Sequence, residues 1–322
     1  MHLLVTGGAG FIGSNYVRWV LAHSDDEVTV YDALTYAGNR STLADVEAAG
    51  GRRLHFVHAD VCDPVTVAGA LGGIDAVVHF AAESHVDRSI AGPADFVVTN
   101  CVGTNVVCDA ARRAGVGPVV HISTDEVYGS VAEGRSRESD PLDPRSPYSA
   151  SKAGSDLIAL SYWSTYGLPV TVTRSSNNYG PWQYPEKVVP LFVTNLLDGR
   201  RVPLYGDGLN RREWLFVDDN CSAIDTVLRR GAPGGIYNIG GGHEMANRDL
   251  TDRLLEILGA GAEMVEYVTD RLGHDRRYAV DSAKVRALGW APGHDLAGGL
   301  DLTCEWYRAN RWWWEPLARR QR

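Results

Sequence analysis

Two short segments of this chain carry side chains able to move protons. Thr124-Asp125-Glu126 sets a hydroxyl beside two carboxyls, and Tyr148 stands four residues before Lys152. Residues spaced i, i+4 share one face of a helix, so a phenol and an ammonium there can act together. The phenol serves as a base and the cation favours its ionised form. That pair suits removal of a hydroxyl proton while a hydride departs. The adjacent carboxyls add a second acid and base, for which simple alcohol oxidation has no use. Elimination of water does need one neutral acid and one base. Taken alone, Asp-Glu is an ordinary exposed turn and Tyr-Lys an ordinary amphipathic helix; what surrounds them argues otherwise.

A hydride carrier must be held next to these groups, and the N-terminus supplies the means. Val5-Thr6-Gly7-Gly8-Ala9-Gly10-Phe11-Ile12-Gly13 follows an apolar strand and opens a helix. Gly7, Gly10 and Gly13 let the backbone approach a pyrophosphate, which rests on the helix N-terminus at Phe11 and Ile12. Asp32 closes the second strand about 20 residues further on, where a carboxylate accepts hydrogen bonds from an adenosine ribose. It would repel a 2′-phosphate, so NAD is favoured over NADP, and Arg40 is read as a surface residue. Asp60 and Val61 follow the third strand and either face the adenine or form a simple turn. Ala81 and Ala82, after the fourth, are small enough for a cofactor to lie against the backbone. Ser84 is a cleft residue or a helix cap.

Short apolar strands are expected at 3–6, 28–31, 54–57, 76–79, 119–123 and 170–173, with helices beginning near Phe11, Pro64, Pro93 and Tyr148. This alternation implies an α/β protein with a Rossmann-type, doubly wound parallel sheet and ligands at the carboxyl ends of its strands. The fifth strand delivers Thr124, Asp125 and Glu126 to that edge. After Arg174 the pattern becomes turn-rich, and a helix near 218–230 and a strand near 236–239 return to the sheet. We therefore expect an NAD-binding domain from 1–176 and 214–240. A smaller, discontinuous C-terminal substrate domain, 177–213 and 241–322, would lie over the switch point. The Trp312-Trp313-Trp314 run reads as packing.

With 44% hydrophobic and 22% charged residues over 322 positions, the composition is that of a soluble globular protein. A net charge of -9 and the lack of any basic run argue against nucleic acid as a partner. No apolar run is long enough for a membrane span, and the N-terminus has no signal-peptide pattern. Five cysteines without CxxC spacing make disulfides and metal ligation weak readings and a reducing cytoplasm the expected location. The ten histidines show no ligand spacing, so no metal is expected. An anionic small substrate stays compatible, because Lys187, Arg212 and the run Arg271-Leu272-Gly273-His274-Asp275-Arg276-Arg277 supply local positive charge.

On these residues the chain resembles the extended short-chain dehydrogenase/reductase (NAD-dependent epimerase/dehydratase) family, and within it the dTDP-glucose 4,6-dehydratases. The likeness begins at Thr6–Ser14 and passes through Tyr31–Asn39, which contains Thr35 and Gly38. It continues in Ala81–Asp87, Ser123–Gly129, Asn177–Pro181, Pro185–Lys187 and Gly273–Tyr278, and ends at Gly289-Trp290. The glycine and Tyr/Lys motifs mark the superfamily, whereas the Asp-Glu pair is the specific part. Relatives that epimerise at carbon 4 typically have small residues there, and decarboxylases Ser-Glu. Asn220 departs from the pattern, which often has histidine, and is expected to be peripheral.

The resemblance implies oxidation of a dTDP-sugar at carbon 4, elimination of water across carbons 5 and 6, and hydride return to carbon 6. Thr124, Asp125, Glu126, Tyr148 and Lys152 would be catalytic, with Lys152 and a cationic nicotinamide together lowering the pKa of Tyr148. Thr35, Gly38 and Asn178 would join the glycine loop at the NAD. Ser84, Asn177, Lys187, Arg212, Asn247, Arg271 and His274 would bind substrate. A homodimer would form through a four-helix contact of the helices starting near Pro93 and Tyr148. Two rival classes remain: an epimerase or decarboxylase, which has no use for Asp125, and a non-catalytic NAD sensor, which would normally have lost Tyr148 or Lys152.

Overall fold

The computed structural model describes residues 1–270 and 273–319. Six strands come first: β1 (His2–Thr6), β2 (Glu27–Asp32), β3 (Leu54–His58), β4 (Ala76–His79), β5 (Val119–Thr124) and β6 (Val170–Ser175). Six more follow: β7 (Asn177–Tyr179), β8 (Val202–Tyr205), β9 (Arg211–Phe216), β10 (Ile236–Ile239), β11 (His243–Ala246) and β12 (Val265–Val268). A seven-stranded parallel sheet runs β10-β6-β5-β4-β1-β2-β3. Its inner strands are almost wholly buried, with apolar runs such as Leu3-Leu4-Val5, Ala76-Val77-Val78 and Val119-Val120, because helices cover both faces. Helices Phe11–His23 and Val217–Arg230 cover one side through Tyr16, Val17, Val20, Ile224 and Val227. Helices Thr104–Ala114 and Pro147–Tyr166 cover the other through Val107, Ala111, Ala159 and Tyr162. The chain reverses its winding between β1 and β4, which opens a crevice at their carboxyl ends.

The remaining strands form a three-stranded sheet, β11-β9-β7, and the parallel pair β12-β8. A second core joins Phe192, Trp214, Leu254, Leu300, Tyr307, Trp313 and Trp314. Trp313 and Trp314 are buried while Trp312 is exposed, so the tryptophan run packs helix Arg311–Arg319. Two details differ from the expected division. Strand β9 runs straight through the 213/214 boundary. Val285 and Trp290, counted with the substrate part, instead join the sheet-side core, where Trp290 Nε1 donates to the Asp219 carbonyl (3.1 Å) and Ser222 Oγ (2.9 Å). All five cysteines are free thiols. No helix among the described residues is long and apolar enough to cross a membrane.

Candidate active site

Thr6 ends β1 and the chain turns at Gly7, whose φ is +67°. A Cβ there would stand 2.7 Å from the Ala81 nitrogen, so only glycine lets the ends of β1 and β4 meet this closely. A Cβ on Gly13 would strike the Gly7 carbonyl. Gly10 is the N-cap of helix Phe11–His23, and no side chain caps it, so first-turn N–H groups stay available for an anion. At the end of β2, Asp32 accepts the Ala9 N–H (2.9 Å) and the Leu34 N–H (2.8 Å). Burial pushes its carboxyl up and these two bonds oppose the push. Gly38 leaves room for it, since a Cβ there would lie 2.5 Å from Asp32 Oδ1. A glycine cradle with a carboxylate at the end of β2 fits a dinucleotide. Arg40 is engaged at the surface by Glu47 (2.9 Å) and the Phe56 ring (4.3 Å).

Beyond β5 the chain enters a 3-10 turn, Asp125–Tyr128, because Thr124 Oγ1 accepts the Glu126 N–H (3.2 Å). The turn gives its two carboxyls different surroundings. Asp125 is 3% exposed, Thr124 donates to its Oδ1 (3.3 Å), and its Oδ2 is buried without a hydrogen-bond partner. Burial, then the charges of Glu126 and Glu213, hold the Asp125 carboxyl well above the usual range against the pull of Arg212. Glu213 is itself fixed by the N–H groups of Gly242 (2.7 Å) and Val280 (2.9 Å) and by Arg135 (3.2 Å). Glu126 is half-buried in the cleft wall.

Tyr148 and Lys152 ride on helix Pro147–Tyr166, whose start is set by a Ser146/Ser149 capping box and by Pro147 in the first turn. The Tyr148 ring meets Phe96 edge-on at 6.3 Å. Burial and the Glu126 charge raise its phenol above the ordinary tyrosine value, while hydrogen bonding to Thr124 opposes them. Lys152 is buried and donates to the Ile122 carbonyl (2.7 Å), and burial brings its ammonium down to about 8. Within the protein alone, burial and the Glu126 charge outweigh Lys152 at Tyr148, and the expected lowering rests on Lys152 and a cationic nicotinamide acting together. One turn past Lys152, Asp156 binds Arg174 (2.9 Å) and lies 3.4 Å from His121, forming a buried floor that the motifs did not reveal.

Lys187 Nζ donates to the Ser84 carbonyl (2.8 Å). Arg212 donates to the carbonyls of Asp275 (2.9 Å) and Arg211 (2.8 Å) and lies over the Tyr278 ring. His274 Nδ1 is 2.6 Å from Asp270. Asn177, Asn178 and Asn247 each keep a buried Oδ1 without a hydrogen-bond partner. Ser84 is not the cap of helix Val86–Ala91; His85 fills that position. Arg276 and Arg277 are bound to Asp207 (2.9 Å) and Glu244 (2.7 Å) and do not line the cleft. Asn220 is fully buried and accepts the Ser175 hydroxyl (2.8 Å), so it backs a cleft residue rather than standing apart from the site. Arg271 lies outside the described residues.

Every other residue expected at the cofactor, the chemistry or the substrate lines one continuous cleft of about 460 Å³. Sequence reasoning missed Glu186, His85 and Tyr184 in its walls, although the Pro185-Glu186-Lys187 and Ser84-His85 stretches were already singled out for their neighbours.

A family model described as GDP-mannose 4,6 dehydratase matches residues 4–303. The chain is 58% identical to a dTDP-glucose 4,6-dehydratase of Streptomyces antibioticus, over 99% of this chain and 96% of that one. It is 56% identical to a dTDP-glucose 4,6-dehydratase of Streptomyces griseus, over 98% and 97%. Among solved structures it is similar to DesIV, the dTDP-glucose 4,6-dehydratase of Streptomyces venezuelae, with NAD bound; the TM-score is 0.96 at 58% identity, covering 98% and 100% of the two chains. A Thermus thermophilus UDP-glucose 4-epimerase in complex with NAD has a TM-score of 0.89 at 34% identity, covering 96% and 100%.

Proposed function

Because the chain belongs to the GDP-mannose 4,6-dehydratase family, within the extended short-chain dehydrogenase/reductases, we infer that it is an NAD-dependent dTDP-glucose 4,6-dehydratase. It converts dTDP-D-glucose to dTDP-4-keto-6-deoxy-D-glucose. NAD, when bound, accepts hydride from carbon 4 of the sugar and later returns it to carbon 6. One observation carries the dehydratase reading: the chain buries Asp125 beside Glu126 and Glu213, which favours its protonated form next to a second carboxyl.

We assign the side chains the following roles, which their places in the cleft support. Tyr148 takes the hydroxyl proton at carbon 4, and Thr124, its hydrogen-bonding neighbour, orients the same oxygen. The resulting ketone acidifies the carbon 5 proton, which Glu126 removes. Asp125 gives its proton to the hydroxyl at carbon 6, and water leaves. After hydride returns, the proton held by Glu126 goes back to carbon 5. Lys152, tied to β5 through Ile122, keeps a cation behind the phenol. Lys187 and Arg212 bind the diphosphate, and the unpartnered amide oxygens of Asn177 and Asn247 meet substrate polar groups.

We assign residues 1–176 and 214–240 chiefly to cofactor binding, and the rest chiefly to the nucleotide sugar. A homodimer through helices Pro93–Val97, Thr104–Ala114 and Pro147–Tyr166 is supported by the exposed Val97, Val98, Val102 and Leu157 on and between those helices. A cytoplasmic location accords with five free thiols. Incubation with dTDP-glucose tests the reading. A 4-keto-6-deoxy product without added cofactor supports it, whereas a carbon 4 epimer or unchanged substrate would refute it.

A further inference from the structure

The spacing of histidines along the chain offers no ligand set, but the sheet creates one at the edge opposite the cleft. His2, Glu27 and His55 belong to β1, β2 and β3, three neighbouring parallel strands. The register pairs His2 with Glu27 and Thr29 with His55. Residues paired this way, or two apart on one strand, point to the same face, so all four side chains emerge together. One ligand atom from each of His2, Glu27 and His55 lies within 4.8 Å of the others, and among the described residues no other group of three does so.

We propose that His2, Glu27 and His55 form a binding site for a divalent metal of the zinc class at the amino-terminal edge of the sheet. The distances suit a metal better than direct bonds. Glu27 Oε2 is 4.0 Å from His2 Nδ1 and 3.8 Å from His55 Nε2, too long for hydrogen bonds. Zinc holds nitrogen and oxygen at roughly 2.0–2.2 Å, so tetrahedral ligand atoms stand about 3.4 Å apart. A shift of about half an ångström brings the exposed Glu27 to that spacing from both rings, and the two imidazole nitrogens, within 4.8 Å of each other, close by up to about 1.4 Å through rotation of the exposed His55 side chain.

A second feature prepares the site. His2 Nε2 lies 2.8 Å from Oγ1 of the buried Thr29. When Nε2 carries the proton, Nδ1 presents its lone pair toward Glu27, the outer-shell arrangement that fixes a metal-binding imidazole. The backbone of His2 is held as well: its N–H donates to Asp75 (2.7 Å), and the preceding Met1 ammonium binds Asp26 (2.6 Å). Two imidazoles and one carboxylate leave a coordination position for water. Such a donor set favours zinc, cobalt, nickel or copper over magnesium or calcium. The metal would link three strands whose opposite ends form the cofactor cradle, without touching the chemistry.

The test uses untagged, NAD-loaded enzyme titrated with Zn²⁺ by calorimetry and with Co²⁺ by visible absorption. The expected result is one metal per chain, half-saturation at roughly micromolar metal, and a thermal midpoint raised by about 2–4 °C at saturation. Turnover should stay unchanged. His55→Ala should lose the site, and Glu27→Gln should weaken it at least about tenfold, both with full turnover. Equal affinity in His55→Ala, or half-saturation only above about 1 mM, would overturn the site. A midpoint that does not move on saturation would overturn its role as a link between strands.

Discussion

Arg88 lies between a ring and a carboxylate that come from different parts of the chain. Its guanidinium carbon stands 3.7 Å over the Tyr36 ring, and its Nε is 3.5 Å from Glu186 Oε2. Tyr36 follows β2, Arg88 follows β4, and Glu186 belongs to the part beyond β6, so the contact ties three separate segments together behind the cleft wall to which Glu186 belongs. A cycle that lends a hydride and takes it back requires the carrier to stay. We predict that Arg88→Ala speeds NAD release roughly fivefold, the equivalent of about 1 kcal/mol for a half-exposed cation–π and ion-pair contact. Displacement of bound NAD by labelled NAD measures this, and an unchanged rate would remove this contact from the account of retention.

Asp125→Asn removes the neutral acid but leaves Tyr148, Thr124 and Lys152 in place. Elimination should slow by about 10²–10⁴-fold while oxidation at carbon 4 slows far less. Reduced-cofactor absorbance should then build up in a single turnover. Glu126→Gln should instead block exchange of the carbon 5 proton with deuterated solvent. Wild-type turnover in Asp125→Asn, with no build-up, would sink the acid assignment.

Lys187 and Arg212 should respond differently to removal. Lys187→Met should weaken dTDP binding about ten- to a hundred-fold, the usual cost of about 1.5–3 kcal/mol for one charge-assisted contact. Arg212→Ala should lose affinity and also lower the unfolding temperature, because its guanidinium supports the Asp275 and Arg211 carbonyls. Calorimetry with dTDP and a melting curve separate the two effects. Unchanged dTDP affinity in Lys187→Met would mean that the diphosphate lies elsewhere.

Acid should unfold this protein partly through its buried imidazoles. Burial lowers His121 and His85 to about 4 and His79 well below its ordinary value. The unfolded chain therefore takes up protons first. The stability held above about pH 6.5 is lost as the pH falls toward 4, by about 1.4 kcal/mol per pH unit for each such histidine. Carboxyls raised by burial, such as Asp125 and Glu186, act in the opposite sense. The informative quantity is thus the difference between wild type and His121→Gln, whose stability should fall less steeply over that range. Parallel profiles would show that His121 does not titrate on unfolding.

The sheet was legible because its strands are uninterrupted apolar runs, such as Val77-Val78 and Val119-Val120, separated by helical patterns. The cradle was legible because Gly7, Gly10 and Gly13 are spaced for one purpose. Other features depend on contacts between distant segments. Lys152 could be placed on a helix face from its spacing, but its acceptor is the Ile122 carbonyl, and carbonyls have no sequence signature. Asp125 owes part of its neutrality to Glu213, which another sheet brings near. The helical region starting at Pro93 also hides a break. A π-helical turn, Val98–Gly103, separates Pro93–Val97 from Thr104–Ala114. Within it Asn100 accepts the Glu83 N–H (2.9 Å) and donates to the Ser151 hydroxyl (2.8 Å), tying the cleft wall to the catalytic helix. Residue types along 93–114 do not announce that extra residue per turn.

The Ser146/Ser149 box at the head of helix Pro147–Tyr166 fixes more than where that helix begins. Each residue added or lost between Ser146 and Tyr148 would rotate everything after it by about 100° about the helix axis. The phenol would then swing from the cleft toward Thr104–Ala114 or out into solvent, with no catalytic side chain altered. The cap is in effect the angular zero of the active site. Insertions at this point should abolish turnover in folded, NAD-loaded protein.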